Sequence, residues 1–455
     1  MDNLPFAVPA SELLEMKKEF SLHEETKKLL CPFQSTLSFD YYFFESISKL
    51  KDSIPWMNLL KNRPVVSNAV IDPREWLSIP DCFFNTVSEI LLSKNITSLN
   101  ITESKYECAM TVKVLSILLN VLETLGNRCN LMSFKLNIQP ARTLYPVKKD
   151  IIELLSKIFE KFVISLQLKI LSLKMLNPRS MPKQILPYIT KLSTLTSLSL
   201  ESVELENNIL DFLNLPQSLE VLILHRSTVC VDDFVNLCCF LETSKSLITL
   251  NIQRLYIYYK VPEGEKIRHT RVDEAFPCLL KALKTNRSLE KLYLTSSNIS
   301  FRNDKFLKIM ETLLENNIKT FTCDDVDMET INPFLLLSIK LLQTRTDFEF
   351  FCIENLFFDY DIQPYTAINL TRKLFDEITI HPSITTFVNV YFLNSLNIIP
   401  LPDESPYLDA FDRNEKNQRQ RRLTLQSALM DSLGLPDISI AELFPCVYRT
   451  KRQRE

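Results

Sequence analysis

Glycine is nearly missing from this chain. Gly126, Gly264 and Gly434 are the only three in 455 residues. A phosphate-cradling loop or a dinucleotide fingerprint needs clustered glycines, so that backbone N–H groups can approach the ligand closely. Neither is written here. Histidine is almost as scarce, and His23, His225, His269 and His381 show no His-Glu-x-x-His spacing, which excludes a zincin site. No apolar run approaches the ~18 residues that a membrane-spanning helix requires. Neither sign of charge dominates: 52 basic residues face 55 acidic ones, and a net charge of −3 exerts no global pull toward nucleic acid or anionic lipid. The cysteines number 11, an odd count with no Cys-x-x-Cys pair. Several stand in apolar slots (Cys238, Cys278, Cys323), where a free thiol behaves as a small hydrophobe. Such usage points to a reducing compartment without a disulfide framework. The opening stretch is acidic and broken by prolines, unlike a secretory signal, so the expected location is cytoplasmic. No catalytic residue, metal or cofactor is expected, and no enzyme.

What is present is a spacing. In "SLEKLYLTSSNI", Leu289, Leu292, Leu294 and Ile299 stand at offsets 0, 3, 5 and 10. The same offsets recur at Leu195, Leu219, Leu247, Ile318 and Phe348, and shorter matches start at Ile96, Leu131, Leu168 and Ile384. Successive starts lie 24 to 42 residues apart. A spacing repeated in tandem marks an internal repeat. The Leu-x-x-Leu-x-Leu element reads as a short strand whose alternate residues point inward. Between these elements run amphipathic helical patterns, such as Phe234, Leu237, Cys238 and Leu241, or Phe306, Ile309, Met310 and Leu313. One strand-plus-helix unit cannot cover its own apolar face. Stacked units can, by building a parallel strand layer, a helix layer and one core between them.

With these residues in view, the chain resembles the leucine-rich repeats, specifically the ribonuclease-inhibitor-like subclass with a helix in every repeat. The resemblance implies an α/β solenoid, with the parallel strand layer inside and the helices outside. It covers Lys94 to Arg422 and is most specific from Leu195 to Ile299. The family usually carries Asn or Cys at offset 8, to satisfy backbone groups in the turn after the strand. Val203, Ser227 and Leu255 stand there instead, so irregular turns are expected.

Three regions follow. Residues 1–93 lack the repeat and read as a helical N-terminal cap or a small adaptor region. Residues 94–422 form the solenoid. Residues 423–455 hold a C-terminal helix and a basic tail. Just before that tail, Arg413, Asn414 and Asn417 resemble the polar helix that often closes such arrays.

Reading outward alternates along the strands gives a mixed surface with a few aromatics, better suited to a protein than to a polyanion. The interval from Leu247 to Leu289 is the longest, and its excess lies in "YYKVPEGEKIRHTR". Insertions in repeats map to loops, which are frequent binding elements. His225, Gln253, Tyr258, Tyr259, Arg268, Lys291 and Tyr293 are therefore the expected partner-binding residues. The expected partner is another protein. The expected function is a non-catalytic interaction scaffold, with a bacterial effector acting in a host cell as one setting. The alternative is a substrate-receptor adaptor of a ubiquitin-ligase complex.

Overall fold

The structure, a computed structural model, describes residues 36–39, 68–71, most of 96–387, and 413, 414, 416 and 417. Within 96–387 the stretches 102–114, 117–118, 121–122, 124–130, 139–148, 166–167, 176–181, 206–209, 259–274, 296–300, 303, 324–325, 329–331, 354–355 and 359–363 fall outside that description. The chain divides into two compact units, Met1–Met328 with Glu354–Phe357, and Glu329–Ile353 with Phe358–Glu455.

In the first unit the repeat spacing becomes a ladder of parallel strands. Its order follows the chain: Thr36–Phe39, Asn68–Ile71, Ser98–Ile101, Ser133–Ile138, Ile170–Met175, Ser197–Glu201, Val221–His225, Thr249–Asn251, Lys291–Tyr293 and Thr320–Cys323. The register keeps like offsets together, so that Leu171, Leu198, Leu222, Leu250, Leu292 and Phe321 are consecutive partners. All six are buried, as are Leu173, Leu200, Leu224 and Leu294 in the next inward row. Buried and half-buried residues alternate along Ser197–Glu201 and Val221–His225, as a strand covered on one face requires. Each fully buried leucine contributes roughly 1.5–3 kcal/mol. Leu294 is 0% exposed, in agreement with its expected inward position.

Helices complete the units. Val231–Thr243 buries Phe234, Leu237, Cys238 and Leu241, and Asp304–Glu315 buries Phe306, Ile309, Met310 and Leu313. The helices Val231–Thr243, Ala275–Thr285 and Asp304–Glu315 pack against one another in succession. Strand and helix meet in the core at Phe134 and Phe159, whose rings lie edge to face at 6.4 Å.

Two expectations are corrected. The strand layer does not begin at residue 94, because Thr36–Phe39 and Asn68–Ile71 extend it in parallel register, Thr36 opposite Asn68 and Asn68 opposite Ser98. Those two strands are the described part of residues 1–93. A helical cap elsewhere in 1–93, and the C-terminal helix and tail at 423–455, lie outside the described residues. The turns after three of the strands are also not irregular. Ser202, Arg226 and Arg254, at offset 7 of successive repeats, share a left-handed backbone with φ of 57°, 52° and 55°. The Ser202 N–H donates to the carbonyl of His225, that of Arg226 to Gln253, and that of Arg254 to Thr295. Each turn thus satisfies its backbone on the next repeat, and the missing Asn is not needed. At Ser227 the side chain helps directly, its Oγ accepting from the Val203 N–H at 3.2 Å. A short second ladder follows these turns, pairing Glu204–Leu205, Thr228–Cys230 and Tyr256–Tyr258 in parallel.

The second unit continues the same alternation with helix Asn332–Thr344, strand Phe350–Ile353, helix Pro364–Ile380 and strand Thr386–Phe387. The two strands pair in parallel, Phe350 opposite Thr386. Arg413 and Asn414 bond to this array: the Arg413 guanidinium donates to Thr379 O at 3.0 Å. Asn414 Nδ2 donates to His381 O and Ile384 O, each at 2.9 Å.

Candidate functional site

Two rows of side chains on the face opposite the buried leucines follow directly from the register. One runs Ile170, Ser197, Val221, Thr249, Lys291, and the next Ser172, Ser199, Ile223, Asn251, Tyr293. Ile170 and Lys291 are exposed, and the other eight are half-buried. Flanking strands thus leave small apolar side chains, hydroxyls and one aromatic within reach of a partner. The outward alternation fails further along: Thr295, Thr320 and Thr322 are buried, although their offsets place them on the outward side.

A third row, at the C-terminal ends of the strands, is charged. Lys174 stands opposite Glu201, and Glu201 opposite His225. Lys174 Nζ lies 2.8 Å from Glu201 Oε1, a close ion pair, while His225 Nδ1 is 3.6 Å from the same oxygen, too far for a hydrogen bond. Burial lowers the His225 pKa below its ordinary 6.5. Arg226, Arg254 and Lys174 push it the same way, and Glu201 alone opposes them. The ring is therefore neutral at pH 7, and it lies in a field with more cations than carboxylates. Arg226 and Arg254, on the left-handed turns that follow, are exposed.

The expected contact residues divide three ways. His225, Gln253, Lys291 and Tyr293 belong to this face or its edge. Gln253 is held locally, its N–H donating to Asn251 Oδ1 at 3.0 Å. Lys291 is exposed, while Tyr293 is half-buried and burial raises its phenol pKa. Tyr258 belongs to the second ladder, opposite Cys230, and not to the main strand layer. Tyr259 and Arg268 lie outside the described residues.

Polar side chains that the leucine pattern passed over turn out to clamp the repeats together. Hydroxyls at offset −1 donate to the starting carbonyl of the preceding repeat: Thr194 to Leu168 O at 2.9 Å, Ser218 to Leu195 O at 2.8 Å, Ser246 to Leu219 O at 2.8 Å and Ser288 to Leu247 O at 3.0 Å. Three residues before a repeat start, Asn286 is buried. Its Nδ2 donates to Leu241 O and Ser244 O, and its Oδ1 accepts from the N–H groups of Ser288 and Leu289. The recurrent Ser-Leu dipeptide was the available signal. The thiols of the same region are structural too. Burial, with a hydrogen bond to Asp233 at 2.9 Å, pushes the Cys230 pKa up to about 11, and burial pushes Cys238 higher still. Neither is a thiolate at neutral pH. Among the described residues no helix is long and apolar enough to cross a membrane.

No family model and no curated protein matches the chain. Among solved structures, the tropomodulin C-terminal domain of Caenorhabditis elegans is 16% identical, with a TM-score of 0.28, covering 43% of this chain and 98% of its own. Leiomodin-1 actin-binding site 2 is 14% identical with a TM-score of 0.21, covering 44% and 88%. A TDR receptor is 12% identical with a TM-score of 0.33, covering 72% of this chain and 52% of its own length.

Proposed function

We propose that this chain is a leucine-rich-repeat scaffold that binds another protein through the outward face of its strand layer, without catalysis of its own. The observation that carries the reading is the unbroken parallel register. It sets Ile170, Ser197, Val221, Thr249 and Lys291 side by side across five repeats, and a rigid row of that kind is an extended platform. Its mixture of half-buried aliphatic side chains, hydroxyls and Tyr293 suits a protein surface, where aromatic and aliphatic anchors carry most of the binding energy. A preformed strand layer also loses little entropy on binding. The effector setting and the ligase-adaptor alternative rest on the sequence reading alone.

The test is affinity capture from cell lysate with the full chain and with Lys291→Glu. Lys291 is exposed, so its reversal should leave the melting temperature unchanged while reducing capture of a specific partner. Tyr293→Ala is a poorer probe, because the half-buried ring also contributes to packing. Capture indifferent to Lys291→Glu, or substrate turnover by the purified chain, would overturn the reading.

A further inference from the structure

We propose that the C-terminal edge of the strand layer, from Lys174 to Arg254, is a docking site for an acidic segment of a partner protein, with Arg226 and Arg254 holding its carboxylates. This rests on the scaffold reading and names the partner's chemistry. Arg226 and Arg254 occupy the same turn position in successive repeats, and both side chains are exposed. Their backbones are fixed to the next turn by the N–H bonds to Gln253 O at 3.1 Å and Thr295 O at 2.7 Å. Neighbouring strands lie about 4.8 Å apart, so the two side chains start one strand spacing apart and can both reach a single extended segment.

Among its described residues, the edge carries more cations than carboxylates. Its carboxylate, Glu201, is taken by Lys174 at 2.8 Å, and neither arginine has a salt-bridge partner among the described residues. Next to the arginines stand His225 and Gln253, and further into the sheet lie Ile223 and Asn251, with Val221 beyond. A polyanion such as RNA would leave these aliphatic side chains unused. A segment alternating acidic and apolar residues engages both, its carboxylates on the guanidiniums and its apolar side chains on Ile223 and Val221. Arginine forms bidentate bonds with carboxylates, which adds geometric selectivity to charge attraction. A left-handed residue is unstrained as Gly and well tolerated as Asn, yet this chain places Arg there twice.

A random peptide library displayed on phage and panned against the full chain tests the proposal. The selected peptides should be rich in Asp and Glu next to aliphatic residues. They should lose roughly tenfold or more in affinity for the double variant Arg226→Asn with Arg254→Asn, as expected when close charge pairs are removed. Asn accepts positive φ, so an unchanged melting temperature checks that this variant is folded. Arg226→Lys with Arg254→Lys should retain binding better than the Asn pair. The proposal is overturned if no peptide is selected, if selected peptides carry no acidic excess, or if the Asn pair binds them undiminished. It is also overturned if single-stranded RNA binds the same edge more tightly than the peptides. Should Lys291→Glu abolish lysate capture while the Asn pair captures normally, the scaffold stands and this edge is not its site. If acidic peptides need both arginines but capture ignores Lys291, the edge stands and the wider platform does not.

Discussion

His381 illustrates how a single side chain holds a repeat junction, and at what pH. It is 3% exposed, its Nδ1 accepts from the N–H groups of Ser383 and Ile384, and its Nε2 lies 2.9 Å from the Arg345 carbonyl. That arrangement needs a neutral ring protonated at Nε2. Burial lowers its pKa below 6.5, outweighing the upward pull of the Arg345 hydrogen bond and of Asp347 and Glu377. The unfolded chain therefore takes up the proton first as pH falls. Stability from this residue is fully present above about pH 6.5 and declines below it. Asn286 makes the equivalent contacts at an earlier repeat junction, with an amide that does not titrate. His381→Asn should therefore keep the fold and flatten the loss of melting temperature of the second unit between about pH 7 and 5. His381→Ala should cost roughly 2–3 kcal/mol at pH 7, by leaving buried N–H groups unpaired. An Asn variant as acid-sensitive as the parent would show that the histidine is not the titrating group.

Between elements, hydrogen bonds set the register and apolar burial supplies most of the stabilisation. The hydroxyls of Ser218, Ser246 and Ser288 each reach a carbonyl one repeat earlier, so a strand shifted by one residue would lose that bond and also turn its leucines outward. Asn286 reaches across 45 residues to Leu241 O at 2.7 Å, tying the end of one helix to the end of the next. Asn286→Ala should cost roughly 2–4 kcal/mol, since buried acceptors and two N–H groups lose their partners together. The chemical denaturation midpoint measures that cost. If Asn286→Ala leaves the midpoint in place, water replaces the amide and the clamp is dispensable.

Across the whole first unit, stability should behave as a sum over neighbours, because each repeat touches only the adjacent ones. Leu222 is 0% exposed and lies in register between Leu198 and Leu250. Leu222→Ala should cost roughly 2–5 kcal/mol, the range for a buried leucine whose cavity collapses only in part. Amide hydrogen exchange should rise most in the strands Ser197–Glu201, Val221–His225 and Thr249–Asn251, and little at Thr36–Phe39 or Thr320–Cys323. Uniform acceleration over all ten strands would instead indicate one indivisible cooperative core.

The offsets 0, 3 and 5 by themselves determined that strands and helices alternate and that Leu198, Leu222, Leu292 and Leu294 are buried, because an apolar period records which face meets the core. They did not reveal the strands at Thr36–Phe39 and Asn68–Ile71. In the observed register the starting slot of the first is Gln34, and the offset-3 slot of the second is Ala69, so the pattern is broken where Val66, Ile71 and Trp76 still keep it. The left-handed turns were hidden for a related reason. Their usual marks are Gly and Asn, and here Ser202, Arg226 and Arg254 stand in those places, held by hydrogen bonds to the next repeat. Of the candidate site, alternation alone placed Lys291 and His225 away from the leucines. Only the tertiary structure gathered Lys174, Glu201, His225, Arg226 and Arg254 at one edge. Parallel pairing brings residues a full repeat apart in the chain to one strand spacing in space, and no local period records that.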